Sequence, residues 1–128
     1  GYLYGVTAGE AAEGYFALVD ETAGTVEWSL GTASNVNGTG AVATVKDTKG
    51  NAVAEFTLVI FGDVNGDAAV DNLDYGSVKN TTQGASIAGD ANTIAADVNG
   101  DAAADNLDYG IIKNATQGAS ITNNPYVA

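Results

Sequence analysis

Apolar and polar positions alternate with a period of two in the first half of the chain, and that alternation stops near residue 62. In AVAEFTLVIF (52–61), Ala52, Ala54, Phe56, Leu58 and Ile60 share one side and Val53, Glu55, Thr57, Val59 and Phe61 the other, which predicts a strand. TVEWSL (25–30) and GAVATVKD (40–47) also read as strands, and TKGN (48–51) reads as a hairpin turn before the last one. Upstream, Thr7-Ala8-Gly9-Glu10 fits a capping box and predicts a short helix over 8–18. Beyond residue 62 the pattern turns helical. Asp74 to Gln83 and Asp108 to Gln117 read as helices stopped by Gly84 and Gly118, with a short connecting helix over 90–96. Leu73, Tyr75 and Val78, and likewise Leu107, Tyr109, Ile111 and Ile112, must be divided between a shared core and an exposed face. The pattern divides the chain into a β-rich unit, 1–61, and a helical unit, 62–128. No Pro- or Ser-rich linker separates Phe61 from Gly62, so a rigid pair is expected.

The helical half is written twice. DVNGDAAVDNLDYGSVKNTTQGASI (63–87) aligns without gaps to DVNGDAAADNLDYGIIKNATQGASI (97–121), and the two differ only at Val70/Ala104, Ser77/Ile111, Val78/Ile112 and Thr81/Ala115. The interval of 34 residues leaves room for a loop, one helix of about ten residues and a connector. Gly76 and Gly110 lie just inside the helices, where glycine costs roughly 0.5–1 kcal/mol against alanine. Close approach of a neighbouring helix or a partner would explain the repeated cost, and so would helix-start geometry beside the loop.

Composition narrows the chemistry. With neither cysteine nor histidine, the chain has no disulfide, thiolate zinc site, imidazole base or Ser-His triad. Its net charge of −12 repels phosphate backbones and anionic lipid, and no apolar run approaches the roughly 18 residues of a membrane span, so neither nucleic acid nor membrane is an expected partner. The opening residues lack the basic, apolar and small-residue order of a leader, and a segment of a longer protein is expected. From residue 62 onward nine aspartates face two lysines, so −7 of the charge lies there.

Eight of those aspartates fall at fixed spacing. Counting each loop from its first Asp, oxygen-bearing side chains occupy positions 1, 3, 5, 9 and 12: Asp63, Asn65, Asp67, Asp71 and Asp74, then Asp97, Asn99, Asp101, Asp105 and Asp108. Calcium takes six to eight oxygens, and a chain curling round it offers alternate side chains plus a carbonyl at position 7, here Ala69 and Ala103. Magnesium keeps its waters and fits an all-protein cage less well. Two Ca2+ ions are therefore expected. Position 6, which turns with positive φ and is glycine in EF-hands, is Ala68 and Ala102, so weaker or slower calcium binding is expected.

The motif DVNGD…D, with aspartate at position 12, a lysine five residues later and a second copy after 34 residues, resembles a type I-like dockerin over residues 62 to about 122. The resemblance implies an α+β chain: a small β-rich N-terminal module, Ig-like or β-grasp-like and comparable to an X module, packed on an all-α dockerin with two calcium-binding loop–helix (F-hand) repeats. It implies a calcium-dependent, non-enzymatic module, monomeric when free, that binds a cohesin on a scaffoldin outside bacterial cells and attaches its parent protein to a polysaccharide-degrading (cellulosome-like) complex. By the same resemblance the cohesin contact falls on Asn72, Leu73, Ser77, Lys79, Asn80 and Gly84 in one half. In the other it falls on Asn106, Leu107, Ile111, Lys113, Asn114 and Gly118. The near-identity of the halves resembles dockerins that bind in two orientations, with Ser77 against Ile111 favouring one of them. Pro125-Tyr126 is expected to fold back on Phe61 as a clasp. Rival expectations are a calcium-stabilised surface or adhesion module without a cohesin and, more weakly, a catalytic fragment with paired carboxylates.

Overall fold

The computed structural model of the chain describes residues 1–4, 24–29, 38–87, 89–119 and 121. The helix expected over 8–18 and the Pro125-Tyr126 clasp lie outside the described residues.

Four strands form one sheet: β1 (Tyr2–Leu3), β2 (Gly24–Ser29), β3 (Val42–Asp47) and β4 (Ala52–Leu58), in the order β1-β4-β3-β2. The β3–β4 hairpin turns where TKGN predicts. Asp47 accepts the Lys49 and Asn51 N–H groups through Oδ1 at 2.9 Å, and Gly50 takes a positive φ of 84°. Register slips beyond Val45, because Val45 faces Ala54 while Lys46 faces Ala52. Val53 is the extra residue of this bulge and stands exposed. β1 runs parallel to β4, with Tyr2 opposite Thr57 and Leu3 opposite Leu58, so the sheet is mixed.

Strand β4 ends at Leu58, three residues before the alternating pattern does, and the chain then enters the helical core. Val59 and Phe61 pack in one buried cluster with Val64, Val78, Val98 and Ile112. Tyr4 stacks on Phe61 with ring centroids 5.9 Å apart, Val59 N–H donates to Leu3 O, and Gly62 N–H donates to Ala95 O. Gly62 takes a φ of 96° at this junction, a conformation that favours glycine.

The expected fold class, an Ig-like or β-grasp-like module packed on an all-α dockerin, is overturned. The described residues form a single four-stranded mixed sheet and three helices, with one hydrophobic core running across residue 61. The physical reason is size. Two short helices and a seven-residue connector bury too little apolar surface by themselves, and residues from the strand end complete their core.

The helices are α1 (Asn72–Thr81), α2 (Asp90–Ala96) and α3 (Asn106–Thr116). α2 matches its expected bounds, whereas α1 and α3 begin two residues earlier than expected. Asp71 and Asp105 are N-caps whose carboxylates accept the Leu73 and Leu107 N–H groups, and each closes a capping box with the aspartate three residues on. α1 and α3 pack through Val78 and Ile112 and through an edge-on contact of Tyr75 with Tyr109 at 5.5 Å. A Cβ on Gly76 or Gly110 would meet nothing within 4 Å among the described residues, so none of the described helices explains those glycines.

Candidate metal centre

Each loop gathers three carboxylates. In the first, oxygens of Asp63, Asp67 and Asp74 lie within 4.8 Å of one another, and Asp97, Asp101 and Asp108 repeat the arrangement. Two oxygens on opposite sides of a calcium ion stand about 5 Å apart, since each Ca–O distance is about 2.3–2.6 Å. The spacing therefore fits the ion.

Backbone N–H groups hold each carboxylate in place. Asp74 Oδ1 accepts from Val64 (2.8 Å) and Asn65 (3.1 Å), and its Oδ2 accepts from Asp71 (2.8 Å). Asp108 receives Val98, Asn99 and Asp105 in the same way at 2.9, 3.2 and 2.9 Å. One residue in each half thus closes the loop and starts the helix. Asn65 Oδ1 accepts from Asp67 N–H and Asp67 Oδ1 from Ala69 N–H, both at 3.0 Å, with Asn99, Asp101 and Ala103 repeating the pair. These Asx turns curl the loop so that alternate side chains face its centre. Of the four aspartates expected as ligands in each loop, Asp71 and Asp105 stand apart from the triad, engaged as helix caps. Position 9 of such loops often reaches calcium through a water.

Ala68 and Ala102 take the left-handed conformation that their loop position demands, with φ of 73° and 69°. An L side chain there costs roughly 1 kcal/mol. Ala102→Gly should therefore stabilise the folded chain by about 1 kcal/mol and tighten calcium binding. Ala68→Gly should gain less, because its methyl group is buried. Urea unfolding and calcium titration of both variants check this; a loss of stability in Ala102→Gly would contradict it.

The triads are electrostatically uncompensated by protein. Asp63, Asp74 and Asp108 are fully buried, and among the described residues the ion pair formed is Lys46 with Glu27, in the sheet. Burial, reinforced by the Asp74 and Asp67 charges, pushes the Asp63 carboxyl up to about 6 despite N–H groups from Thr39 and Ala68. Burial also raises Asp74 and Asp108. A divalent cation held by each triad would supply the missing charge. Without it, stability runs opposite to that of a normal paired carboxylate. The folded chain holds a proton on Asp63 that the unfolded chain releases near 4, so stability is full below that value and is lost as pH rises through about 6. The loss is on the order of 3 kcal/mol. In chelator the chain should be more helical at pH 5 than at pH 7.5, and circular dichroism showing the reverse would contradict it.

The residues expected to meet a partner are mostly on the surface. Leu73 and Leu107 are each 64% exposed, and Asn72, Lys79, Asn80 and Gly84 and their counterparts Asn106, Lys113, Asn114 and Gly118 are also exposed. Ser77 and Ile111 are half-buried, Ser77 donating its hydroxyl to Leu73 O at 3.0 Å. Two contributors to the first loop escape sequence reading. Thr39 N–H donates to Asp63 Oδ2 at 2.9 Å, and Asn92 Nδ2 donates to Val64 O at 2.7 Å. Neither carries a local signal, since each reaches its partner across more than twenty residues.

Residues 61–116 match the family model described as the dockerin type I domain. No curated protein and no solved structure matches the chain. The matched span begins one residue before the junction glycine and contains both carboxylate triads and all three helices. The paired loops and the capped helices therefore lie in a segment, just under half of the chain, that is similar to the type I dockerin domain.

Proposed function

We propose that this chain docks its parent protein onto a cohesin of a scaffoldin, through the exposed starts of α1 and α3, with two calcium ions holding the docking surface in shape. A type I dockerin domain is a calcium-dependent, cohesin-binding interaction module of extracellular cellulosome-type complexes, not a catalytic one. The ions are held by Asp63, Asn65, Asp67, Ala69, Asp71 and Asp74, and by Asp97, Asn99, Asp101, Ala103, Asp105 and Asp108. Calcium supplies charge neutralisation and fixes each loop against the helix that follows it. The dockerin runs from 62 to 128, and residues 1–61 stabilise it from the side.

The observation that carries the contact surface is its duplication. Leu73 and Leu107 are large apolar side chains left in water at equivalent places, each two residues beyond an N-cap and followed within the same helix by a Lys-Asn pair. Exposed apolar residues rimmed by polar ones are the usual make-up of a protein contact. A surface written twice can present either copy, so the chain binds in two orientations related by a half-turn, with the Ser77/Ile111 difference favouring one.

Leu73→Ala and Leu107→Ala test this together. Each single variant should keep cohesin affinity within roughly tenfold, because the other copy takes over, and the double variant should lose at least about a hundredfold, or nearly 3 kcal/mol. Calorimetry showing that one single variant abolishes binding would sink the two-orientation reading. Full affinity in the double variant would sink the contact surface.

A further inference from the structure

The two loops are nearly identical in sequence, differing only at Val70/Ala104, yet they sit in different surroundings. Asp97 accepts N–H groups from Gly100, Asp101 and Ala102, all within its own loop. Asp63 accepts from Gly66 and Ala68 of its loop and, at 2.9 Å, from Thr39, which lies 24 residues upstream. Burial follows the same division. Gly66 and Ala68 are buried in the first loop, and Gly100 and Ala102 are exposed in the second.

Thr39 is itself firmly held. It occupies the second place of a turn in which Ala41 N–H donates to Gly38 O at 3.2 Å and Gly40 takes a φ of 91°. The turn is fastened to the end of β4 by Gly40 N–H to Leu58 O and by Leu58 N–H to Ala41 O. The Thr39 hydroxyl accepts from Ile60 N–H and donates to Ile60 O, both at 3.1 Å. The amide aimed at Asp63 is therefore part of the sheet's framework. On the other side of the loop, Asn92 of α2 fixes the Val64 carbonyl at 2.7 Å. Thr81 of α1 likewise donates its hydroxyl to Ala104 O of the second loop at 3.1 Å, but among the described residues Asp97 accepts no N–H group from outside its own repeat.

We infer that Thr39 is a positioning residue for the first calcium loop, and that by fixing Asp63 from outside the loop it makes two loops of nearly one sequence unequal in affinity, the first filling before the second. A ligand already held in its bound orientation loses less freedom when the ion arrives. The inference rests on the calcium reading of the loops and goes beyond it, since loop sequence alone assigns both sites the same strength.

Calcium alone, titrated into the full chain, tests it when the amide resonances of Gly66 and Gly100 are followed separately. In the unaltered chain Gly66 should shift at roughly tenfold lower calcium than Gly100. Thr39→Pro removes only the N–H and the hydroxyl from a turn position that proline favours, and it should move the Gly66 transition to about tenfold higher calcium while leaving Gly100 in place. Thr39→Val keeps the N–H and should preserve the order of filling. The inference is overturned if both glycines shift together in the unaltered chain, a measurement that does not depend on any variant folding. It is also overturned if Thr39→Pro moves both transitions equally. No shift at either glycine overturns the calcium reading itself, and the inference with it.

Discussion

Adding a chelator to the calcium-loaded chain at neutral pH should abolish most of the helical far-UV signal, and restoring calcium should bring it back. The expectation follows from the size of two opposing terms. Three clustered carboxylates in each loop repel one another, and Asp63, Asp74 and Asp108 do so out of contact with water. Against this stands a core in which three alanines, Ala91, Ala95 and Ala96, pack with Val59, Phe61, Val64, Val78, Val98 and Ile112. Such a core in so short a segment is marginal by itself. An ion present at a thousand times its dissociation constant adds about 4 kcal/mol, so two add about 8, comparable with the whole stability of an ordinary small domain. Removing them should therefore unfold the loops with the helices they start. A spectrum indifferent to chelator would mean that the apolar core suffices.

Replacing Asp63 and Asp97 together by alanine should abolish cohesin binding, lowering affinity at least about a hundredfold. Each of these side chains gathers backbone N–H groups as well as standing in a triad: Gly66, Ala68 and Thr39 on Asp63, and Gly100, Asp101 and Ala102 on Asp97. Their removal leaves donors unpaired as well as ligands missing, and in the first loop, where Thr39, Gly66 and Ala68 are buried, a donor without a partner costs about 1–3 kcal/mol. The helix starts that carry Leu73 and Leu107 are fastened to these same loops through Asp74 and Asp108, so loss of the loop disturbs the contact surface without touching it. Retained affinity in the double variant, measured by calorimetry in excess calcium, would show that recognition does not depend on the metal.

Much of the site was legible because its determinants are local. Of the four aspartates that the spacing assigns to the first loop, the structure brings Asp63, Asp67 and Asp74 together and leaves Asp71 as a helix cap. The positive φ at Ala68 and Ala102 was legible too, since the sixth place of such a loop must turn whatever residue occupies it. Helix starts were missed by two residues because Asp71 and Asp105 serve as caps as well as loop members, and ligand spacing alone does not separate the two roles. The fold class failed for a different reason. Whether Val59 and Phe61 stay with the sheet or join the helices depends on packing against residues distant in sequence, such as Ile112, and strand alternation in 52–61 carries no trace of it. The parallel pairing of Tyr2 and Leu3 with Thr57 and Leu58, and the reach of Thr39 to Asp63, are likewise contacts between distant segments. The first half and the dockerin segment therefore read as separate units in sequence and share one core in space.

Calcium should make this chain a cohesin ligand, which titration of the full chain against a panel of type I cohesins, once in millimolar calcium and once in chelator, decides. Saturable binding to at least one cohesin is expected in calcium and none in chelator. Equal binding in both conditions, or no binding to any cohesin in calcium while the loops still take up the ion, would contradict it.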